Sequence, residues 1–516
     1  MYMKTKKRQK WFRELLRRRL FFCLLILAQL LILIYFIFSR SVASSVINFI
    51  LRLTSVVVAL HIISRRDKEA YKLTWVFFIL IFPVFGGLAY LFFRCQTRSK
   101  KLRRRIASIK SAVKAAQLPS AYARATEECP AHARQIEYLE KYADFPICEN
   151  EGAEYLSPGE RFLERLLQDM ETARKYIFVE SFIIEDGEMW NSIFSILKKK
   201  ASEGVDVRVI YDDMGCFLRL PRNFVTDMRA CGIRCDIFNR FVPFLTAVQN
   251  FRDHRKIVAI DGEIAYTGGL NIADEYINKV SPFGHWKDSG VRIRGKGAFS
   301  LALIFLEMWM LMGHEERDLS LYRPEFADGS ATENGNGFVQ PYAASPLQRD
   351  NISEDVYMHI IGKARKYVYI MTPYLIVDNN MIAALTIAAK SGVDVRIMTP
   401  YRWDKRAVHF MTRSYYRELI RAGVKIYEYM PGFLHAKTFV CDDEIATVGS
   451  ANMDFRSLYL QFECGVFFCG TNVVDEVRDD FLKTVSVCKE MTEADCRSNA
   501  AVRFLQDVFR LLAPLM

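Results

Sequence analysis

The chain has 516 residues, enough for two or three domains that each bury a core of their own. Its twelve cysteines are scattered and lack the CxxC spacing of zinc or redox sites, which argues against a secreted disulfide framework and favours a reducing compartment for the catalytic part. The formal net charge of +12 favours an anionic partner, and the basic residues are concentrated near the N-terminus.

The N-terminal region predicts a membrane anchor. Nine basic residues lie between Lys4 and Arg19, and the apolar run from Leu20 to Phe38 is long enough to cross a bilayer. A second apolar run, from Leu73 to Phe93, carries aromatic residues near its ends and then meets a basic cluster. The segment from Val46 to Ile63 is mostly apolar, so that two or three spans remain open. Two crossings would put both basic flanks and the bulk of the chain on the cytoplasmic side of the cell membrane.

An internal repeat organises the rest of the chain. The segments ARKYIFVES from Ala173 and ARKYVYIMT from Ala364 each open an apolar strand, and a helical stretch and a shared GVDVR leading into another strand follow. This pattern predicts two duplicated α/β halves. The expected organisation is a membrane anchor over residues 1–95, a juxtamembrane connector over 96–155, a first half over 156–326, a linker over 327–339 and a second half over 340–516.

Each half carries one copy of the motif H-x-K-x4-D-x6-G-[GS]-x-N. The repeated positions are His254, Lys256, Asp261, Gly268 and Asn271 in the first half and His435, Lys437, Asp442, Gly449, Ser450 and Asn452 in the second. One H-x-K triplet is a weak signal, but two copies with equal gaps at matching places of a repeat indicate a functional site. On a strand, the histidine and the lysine point to one face. The aspartate has the opposite parity and begins a turn, where it is suited to bracing that turn.

If the two halves face each other, one pocket contains two imidazoles, two ammonium groups and two amides, with no carboxylate cluster for a metal. This set suits a phosphate diester: one neutral imidazole attacks phosphorus, the other, protonated, donates to the departing oxygen, and the lysines and amides stabilise the charge. The expected intermediate is a phosphohistidine. Each histidine needs a carboxylate to fix its tautomer, and Asp288 and Glu463, in corresponding strands after the motifs, are the candidates. A structural ion pair is the alternative role for both.

The doubled motif resembles the signature of the phospholipase D superfamily, and the paired N-terminal hydrophobic segments resemble the membrane region of bacterial cardiolipin synthases. The resemblance implies two phospholipase D-like α/β halves facing across one pocket, preceded by transmembrane helices. It implies transfer of a phosphatidyl group between two phosphatidylglycerol molecules, giving cardiolipin and glycerol, without a metal or another cofactor. The positions that carry over as catalytic are His254, Lys256, Asp261, His435, Lys437 and Asp442.

The chain departs from an exact duplication at Gly269, where the second half has Ser450, and we therefore expect the two halves to be inequivalent. Family analogy favours His254 as the nucleophile. A hydrolytic phospholipase D or another phosphatidyltransferase would use the same residues. A membrane-tethered nuclease is disfavoured because the catalytic halves lack a basic, aromatic groove. The expected partners are thus phosphatidylglycerol and membrane lipids, not nucleic acid, and the oligomeric state is left open.

Overall fold

The structure is a computed structural model that describes residues 31, 35, 42–65, 68–82, 86–87, 90, 100–240, 250–325 and 335–515. The chain divides into two compact units, and the smaller one contains helices α1 (Val42–Ile63) and α2 (Glu69–Ile81). Within the described part of the chain, no helix combines the length and the apolar character that a bilayer crossing requires. The segment predicted as the first span, residues 20–38, lies outside the described residues apart from positions 31 and 35, as do most of residues 83–93 and of the predicted linker.

Residues 100–150, expected to be a connector, are part of the larger unit. They form helices α3 (Lys100–Ala116), α4 (Tyr122–Glu128) and α5 (Ala133–Tyr138) and strand β1 (Cys148–Glu149). Helix α3 buries Ile109 and Val113 in the main hydrophobic core, and the Arg105 guanidinium donates a hydrogen bond to the Met310 carbonyl at 2.8 Å. The segment therefore packs on the two halves that follow it.

The first half is built on a seven-stranded mixed sheet. The strands of this half are β2 (Glu154–Leu156), β3 (Tyr176–Ser181), β4 (Asp206–Asp212), β5 (Arg234–Phe238), β6 (Arg252–Asp253), β7 (Ile257–Ile260), β8 (Ile264–Gly268), β9 (His285–Lys287) and β10 (Gly290–Arg294), of which β6 and β9 lie outside the sheet and pair with strands of the second half. Its helices are α6 (Gly159–Met170), α7 (Glu188–Ser202), α8 (Asp213–Cys216), α9 (Phe224–Ala230) and α10 (Lys296–Leu311). The sheet order is β2-β10-β8-β7-β3-β4-β5, with β3, β4 and β5 parallel and the remaining neighbours antiparallel.

The second half repeats this architecture. Its strands are β11 (Phe338–Ala344), β12 (Tyr367–Met371), β13 (Leu375–Ile376), β14 (Asp394–Pro400), β15 (Lys425–Tyr429), β16 (Gly432–Leu434), β17 (Thr438–Cys441), β18 (Ile445–Gly449), β19 (Met453–Asp454), β20 (Gln461–Cys469) and β21 (Cys488–Met491). Its helices are α11 (Ile352–Lys363), α12 (Asn379–Lys390), α13 (Arg406–Arg421), α14 (Phe455–Leu460), α15 (Asn472–Val485) and α16 (Ala500–Leu511). The order β11-β20-β18-β17-β12-β14-β15 matches the first sheet strand for strand, and β1 and β21 extend its two edges. The predicted duplication of an α/β half is thereby confirmed.

The two sheets share one hydrophobic core. Val291 of β10, Val448 of β18 and Val466 of β20 belong to the same buried cluster, and Thr267 Oγ1 lies 3.3 Å from Cys464 Sγ across the two sheets. Helix α10 is apolar around almost its whole circumference and is correspondingly buried in this cluster. The two halves therefore form one body, and the face between them can hold a single site.

Asp261 and Asp442 brace the same turn in each half. The Asp261 carboxylate accepts hydrogen bonds of 2.7–2.8 Å from the backbone N–H groups of residues 174–176. Asp442 does the same for residues 365–367 at 2.6–2.8 Å. Both aspartates have φ near +55°, a left-handed conformation that aspartate tolerates better than most residues. Each carboxylate thus ties the start of the central strand to the turn that follows the histidine motif.

Replacement of this brace tests its structural role. We expect Asp442→Ala to lower the free energy of unfolding by about 3 kcal/mol, because three amide groups lose a charged acceptor and alanine is strained at positive φ. Asp442→Asn keeps an acceptor oxygen and the backbone tolerance, and should lose less. Thermal unfolding of the purified protein measures both effects. Equal unfolding midpoints for the alanine variant and the wild type would contradict the brace.

Candidate active site

Backbone pairing between the halves holds both histidines. Strand β6, just before His254, pairs with β20 of the second half, and the His254 N–H donates to the Phe462 carbonyl at 3.0 Å. Strand β16, just before His435, pairs with β9 of the first half, and the His435 N–H donates to the Lys287 carbonyl at 2.7 Å. The H-x-K residues were predicted on a strand; they lie instead in short extended segments between two strands, because their backbone turns from one half toward the other.

Each histidine is hydrogen-bonded to a carboxylate of the opposite half. His254 Nδ1 lies 2.9 Å from Glu463 Oε1, and His435 Nδ1 lies 2.6 Å from Asp288 Oδ2. Both carboxylates are completely buried. Since Nδ1 is engaged in both rings, Nε2 is the nitrogen left for a ligand in the pocket. Asp288 and Glu463 are the residues that the sequence proposed for this contact, but the crossed pairing was not predicted.

The two carboxylates have different surroundings. Glu463 also accepts hydrogen bonds from the hydroxyl groups of Ser450 and Ser457. Asp288 accepts from the N–H of Ser289 at 2.8 Å, and a Cβ atom at Gly269, the counterpart of Ser450, would lie only 2.1 Å from Asp288 Oδ1. Glycine is therefore required at position 269 by the close approach of the aspartate, and the hydroxyl donor is absent there.

This difference separates the acidities of the two carboxyl groups. Burial raises the pKa of Asp288 to about 6, although Lys437 acts against the rise. Burial also opposes ionisation of Glu463, but its electrostatic interaction and hydrogen bond with His254, then the charge of Lys256 and last the Ser450 hydroxyl hold the pKa of Glu463 below its usual value. At neutral pH Glu463 is an anion, and Asp288 is the carboxyl group closer to protonation.

Both motif lysines are buried against the histidine backbone. Lys256 Nζ donates to the His254 carbonyl, and Lys437 Nζ donates to the His435 carbonyl and lies 2.9 Å from His435 Nδ1. Burial lowers the pKa of Lys256 to about 8 and that of Lys437 to about 7. Burial, aided by the charges of both lysines, also lowers the pKa of His254 to about 4 and the pKa of His435 well below its usual value. Both imidazoles are therefore neutral near pH 7 in the unliganded site.

The two motif asparagines differ in their availability to a ligand. The Asn271 side chain accepts from the Ile183 N–H at 3.2 Å and donates to the Tyr276 hydroxyl, so that both ends of its amide are engaged within the protein. Asn452 Oδ1, in contrast, is buried without a hydrogen-bond partner among the described residues. Both asparagines line the cavity, and Asn452 is the one with an unpaired amide oxygen.

A cavity of about 590 Å³ joins these groups. Both histidines and both motif asparagines line it, together with aromatic side chains and a few charged residues. Its aromatic lining consists of Phe182, Tyr276, Phe283, Trp286, Tyr374 and Phe455. The Phe182 ring packs edge-on against His254 at 5.1 Å between centroids, and the Tyr276 ring packs edge-on against His435 at 5.5 Å. The result is a largely apolar cleft lined by both imidazoles, with the two motif lysines buried beside them.

The structure separates the predicted site residues into three groups. Both histidines and both asparagines line the cavity. Lys256 and Lys437 are buried beside the histidines, and Ser450, Asp288 and Glu463 stand behind them. Gly268 and Gly449 allow close backbone approach, since a Cβ atom would lie 2.4 Å from Gly290 Cα and 2.5 Å from the Cys464 carbonyl oxygen, respectively. The two aspartates of the motifs lie at the far ends of their strands as turn braces. Sequence reasoning missed Ser457 and the aromatic wall, because neither belongs to the repeated motif.

Two family models match the chain, one over the two halves and one over the N-terminal region. The family model described as "Cardiolipin synthase, PLD-like domain" matches residues 166–281 and 357–485, and the one described as "Phospholipase_D-nuclease N-terminal" matches residues 54–94. The chain is 35% identical to a cardiolipin synthase of Geobacillus thermodenitrificans over 468 residues, which cover 90% of this chain and 92% of that protein. It is 33% identical to a cardiolipin synthase of Halalkalibacterium halodurans over 475 residues, with 91% and 93% coverage.

One solved structure supports the fold. The phosphatidylserine synthase of Haemophilus influenzae Rd KW20 superposes with a TM-score of 0.55 at 14% sequence identity, covering 74% of this chain and 99% of that protein. At this identity the likeness concerns the phospholipase D-like α/β fold alone.

The crossed carboxylate contact generates one prediction. In Glu463→Gln, the glutamine amide can donate to His254 Nδ1, which would place the imidazole proton on Nε2 and occupy the lone pair that faces the pocket. We expect turnover to fall on the order of a thousandfold while the unfolding midpoint changes little. Ser457→Ala, which removes only one donor to Glu463, is the matched control and should retain more activity. Near-wild-type turnover of the glutamine variant would contradict the tautomer role.

The buried lysines predict an alkaline limit of activity. Their pKa values are lowered from the usual 10.5 to about 7 and about 8, so the ammonium groups lose their charge as the pH rises through that range. Since an anionic substrate needs these charges, kcat/KM should decline between about pH 7 and pH 8. Lys437→Arg should move the decline to higher pH, because guanidinium stays protonated there. A kcat/KM that stays constant across this range would refute the assignment.

Proposed function

Because the chain belongs to the cardiolipin synthase family, we propose that it transfers a phosphatidyl group from one phosphatidylglycerol molecule to another, giving cardiolipin and glycerol. The observation that carries the proposal is the presence of two histidines on one apolar cleft, each backed by a buried carboxylate of the opposite half and each with a buried lysine at its backbone carbonyl. The site offers a nucleophile, an acid and positive charge for one phosphodiester.

His254 is the nucleophile in this proposal. Ionised Glu463 holds the proton of His254 on Nδ1, which leaves the Nε2 lone pair for attack on phosphorus. The Nδ1 atom of His435 lies 2.9 Å from Lys437 Nζ, and because an ammonium group can only donate, this contact favours a tautomer with Nδ1 as acceptor and the proton on Nε2. His435 is then the general acid: as Nε2 gives up its proton, Nδ1 takes one from the Lys437 ammonium group 2.9 Å away, so that the ring stays neutral.

The reaction proceeds in two steps. In the first, His254 Nε2 forms a bond to phosphorus while the bond from phosphorus to the glycerol oxygen breaks, and His435 gives that oxygen its proton. In the second, the terminal hydroxyl of another phosphatidylglycerol gives its proton to His435 and attacks phosphorus, and the phosphorus–nitrogen bond breaks. Lys256, Lys437 and Asn452 stabilise the charge on the non-bridging oxygens. The aromatic cleft limits the access of water, which would give phosphatidic acid instead.

We also propose that residues 1–95 anchor the protein in the cell membrane by two or three spans, with the catalytic halves over residues 156–326 and 340–516 on the cytoplasmic side. The support is the length and basic flanks of the N-terminal apolar segments and the match of residues 54–94 to an N-terminal family model. The anchor would hold the cleft at the headgroup plane, where both lipid substrates are concentrated. Reporter fusions that place residues 97–110 outside the cell would contradict this topology.

The function is tested by the products and by the separate roles of the histidines. Purified protein incubated with phosphatidylglycerol vesicles should form cardiolipin and glycerol, and His254→Ala and His435→Ala should each lower this turnover by at least about a thousandfold. Formation of phosphatidic acid without cardiolipin would identify a hydrolase instead.

A substrate that needs no general acid distinguishes the two histidines. With phosphatidyl-p-nitrophenol, whose leaving group departs as a stable anion, His435→Ala should still release a stoichiometric burst of nitrophenolate, whereas His254→Ala should not. The opposite pattern would make His435 the nucleophile.

A further inference from the structure

Two cations of the cavity take no part in the histidine–carboxylate network. Lys405 immediately precedes helix α13, Arg456 lies in helix α14, and both line the cavity that contains His254 and His435. In the described part of the chain, no carboxylate oxygen lies within 4 Å of either side chain's nitrogen atoms. Both cations favour the ionisation of buried Asp454, whose pKa burial raises, but neither forms an ion pair with it.

The acidic residues of the same cavity are engaged within the protein. Asp404 accepts from the Tyr374 hydroxyl at 2.6 Å, and Asp454 caps helix α14 by accepting from the Ser457 N–H at 2.8 Å. Glu275 is paired with Arg219 at 3.0 Å. The acids of the cavity are thus held by hydrogen bonds or an ion pair, whereas Lys405 and Arg456 form no ion pair with a described residue and can donate hydrogen bonds to an added anion.

Lys405 lies near the reaction centre but is not part of it. Its ammonium nitrogen is 5.7 Å from the centroid of the Tyr374 ring, which lines the cavity. Burial is the main cause of the lowered pKa of His435, followed by the charges of the two motif lysines and of His254. The charge of Lys405 adds a smaller contribution. Lys405 is therefore close enough to act on a group that extends from the reacting phosphate, while Lys256 and Lys437 remain the cations at the histidines.

The proposed reaction brings two phosphates into one cavity. The first is the phosphate attacked by the histidine, and the second is the phosphodiester of the acceptor lipid, three carbon atoms beyond the attacking hydroxyl group. An anion without a counter-charge in an apolar cleft is costly. Ammonium and guanidinium groups are the common ligands of phosphate, and guanidinium can donate two parallel hydrogen bonds.

We propose that Lys405 and Arg456 form a second phosphate subsite, which binds the phosphodiester of the acceptor lipid and favours it over water and uncharged alcohols. This inference rests on the proposed phosphatidyl transfer. Asn452, whose Oδ1 atom is buried and unpartnered beside the same cavity, lies on the path between the two phosphates as a contact for the glycerol that joins them. The subsite acts in the second step, after the phosphohistidine has formed.

The test compares acceptors with and without a phosphate. Full-length wild type, Lys405→Gln and Arg456→Gln are incubated with phosphatidylglycerol vesicles and radiolabelled glycerol. Cardiolipin formation uses the lipid acceptor, whereas incorporation of labelled glycerol into phosphatidylglycerol uses the same intermediate and an uncharged acceptor. We expect each substitution to lower cardiolipin formation about tenfold to a hundredfold and to leave glycerol exchange nearly unchanged. Arg406→Gln is the matched control, because this neighbouring cation lies over the Trp403 ring and does not line the cavity.

Three other results would each overturn the subsite. Unchanged cardiolipin formation would show that the two cations do not bind the acceptor, and a parallel loss of both activities would show that they act on folding or on the first step. An equal loss of cardiolipin formation in Arg406→Gln would show that the effect comes from the overall surface charge and not from a specific subsite. A wild-type protein that exchanges glycerol but makes no cardiolipin would instead overturn the proposed function and, with it, the need for an acceptor phosphate site.

Discussion

The hydrogen bond from each histidine to a carboxylate of the other half is the interaction on which the rest of the structure depends. Neither half contains both partners of such a pair, so a competent imidazole exists only where the two sheets are packed together. The cross-half strand pairs that precede His254 and His435 place the backbone for this contact. The shared core, the turn braces and the duplicated sheet order all serve to keep these two pairs in register.

Burial gives these contacts their chemical effect. Two lysines, two imidazoles and two carboxyl groups lie in an environment that penalises charge, and each responds by a shift of its pKa toward the neutral form unless a neighbour prevents it. A neutral imidazole is the reactive form for attack on phosphorus. A phosphodiester bound nearby would raise the pKa of the two lysines again and keep them protonated. The unliganded site is thus prepared for an anion that would complete its charge balance.

The sequence predicted the duplicated α/β fold, the convergence of the motifs and the two carboxylates. The reason is that residues at matching places of a sequence repeat occupy equivalent positions in the two folded halves. It did not predict that Glu463 would serve His254 and Asp288 would serve His435, since spacing along the chain says nothing about which half supplies a partner. Nor did it separate Asn271 from Asn452. That distinction depends on a hydroxyl group and a backbone amide brought in by other elements.

The single break in the repeat, Gly269 against Ser450, follows from the length of the facing carboxylate. Asp288 comes so close to the backbone at position 269 that a side chain would overlap it, whereas Glu463 leaves space for the Ser450 hydroxyl and is hydrogen-bonded by it. A shorter acid therefore comes with glycine and fewer donors, and a longer acid with serine and more donors. Because donors favour ionisation, the two histidines face carboxyl groups of different acidity. In a reaction that needs one imidazole as nucleophile and the other as acid, this difference assigns the two roles before a substrate binds, whereas in an exactly symmetric pair only the bound substrate would assign them.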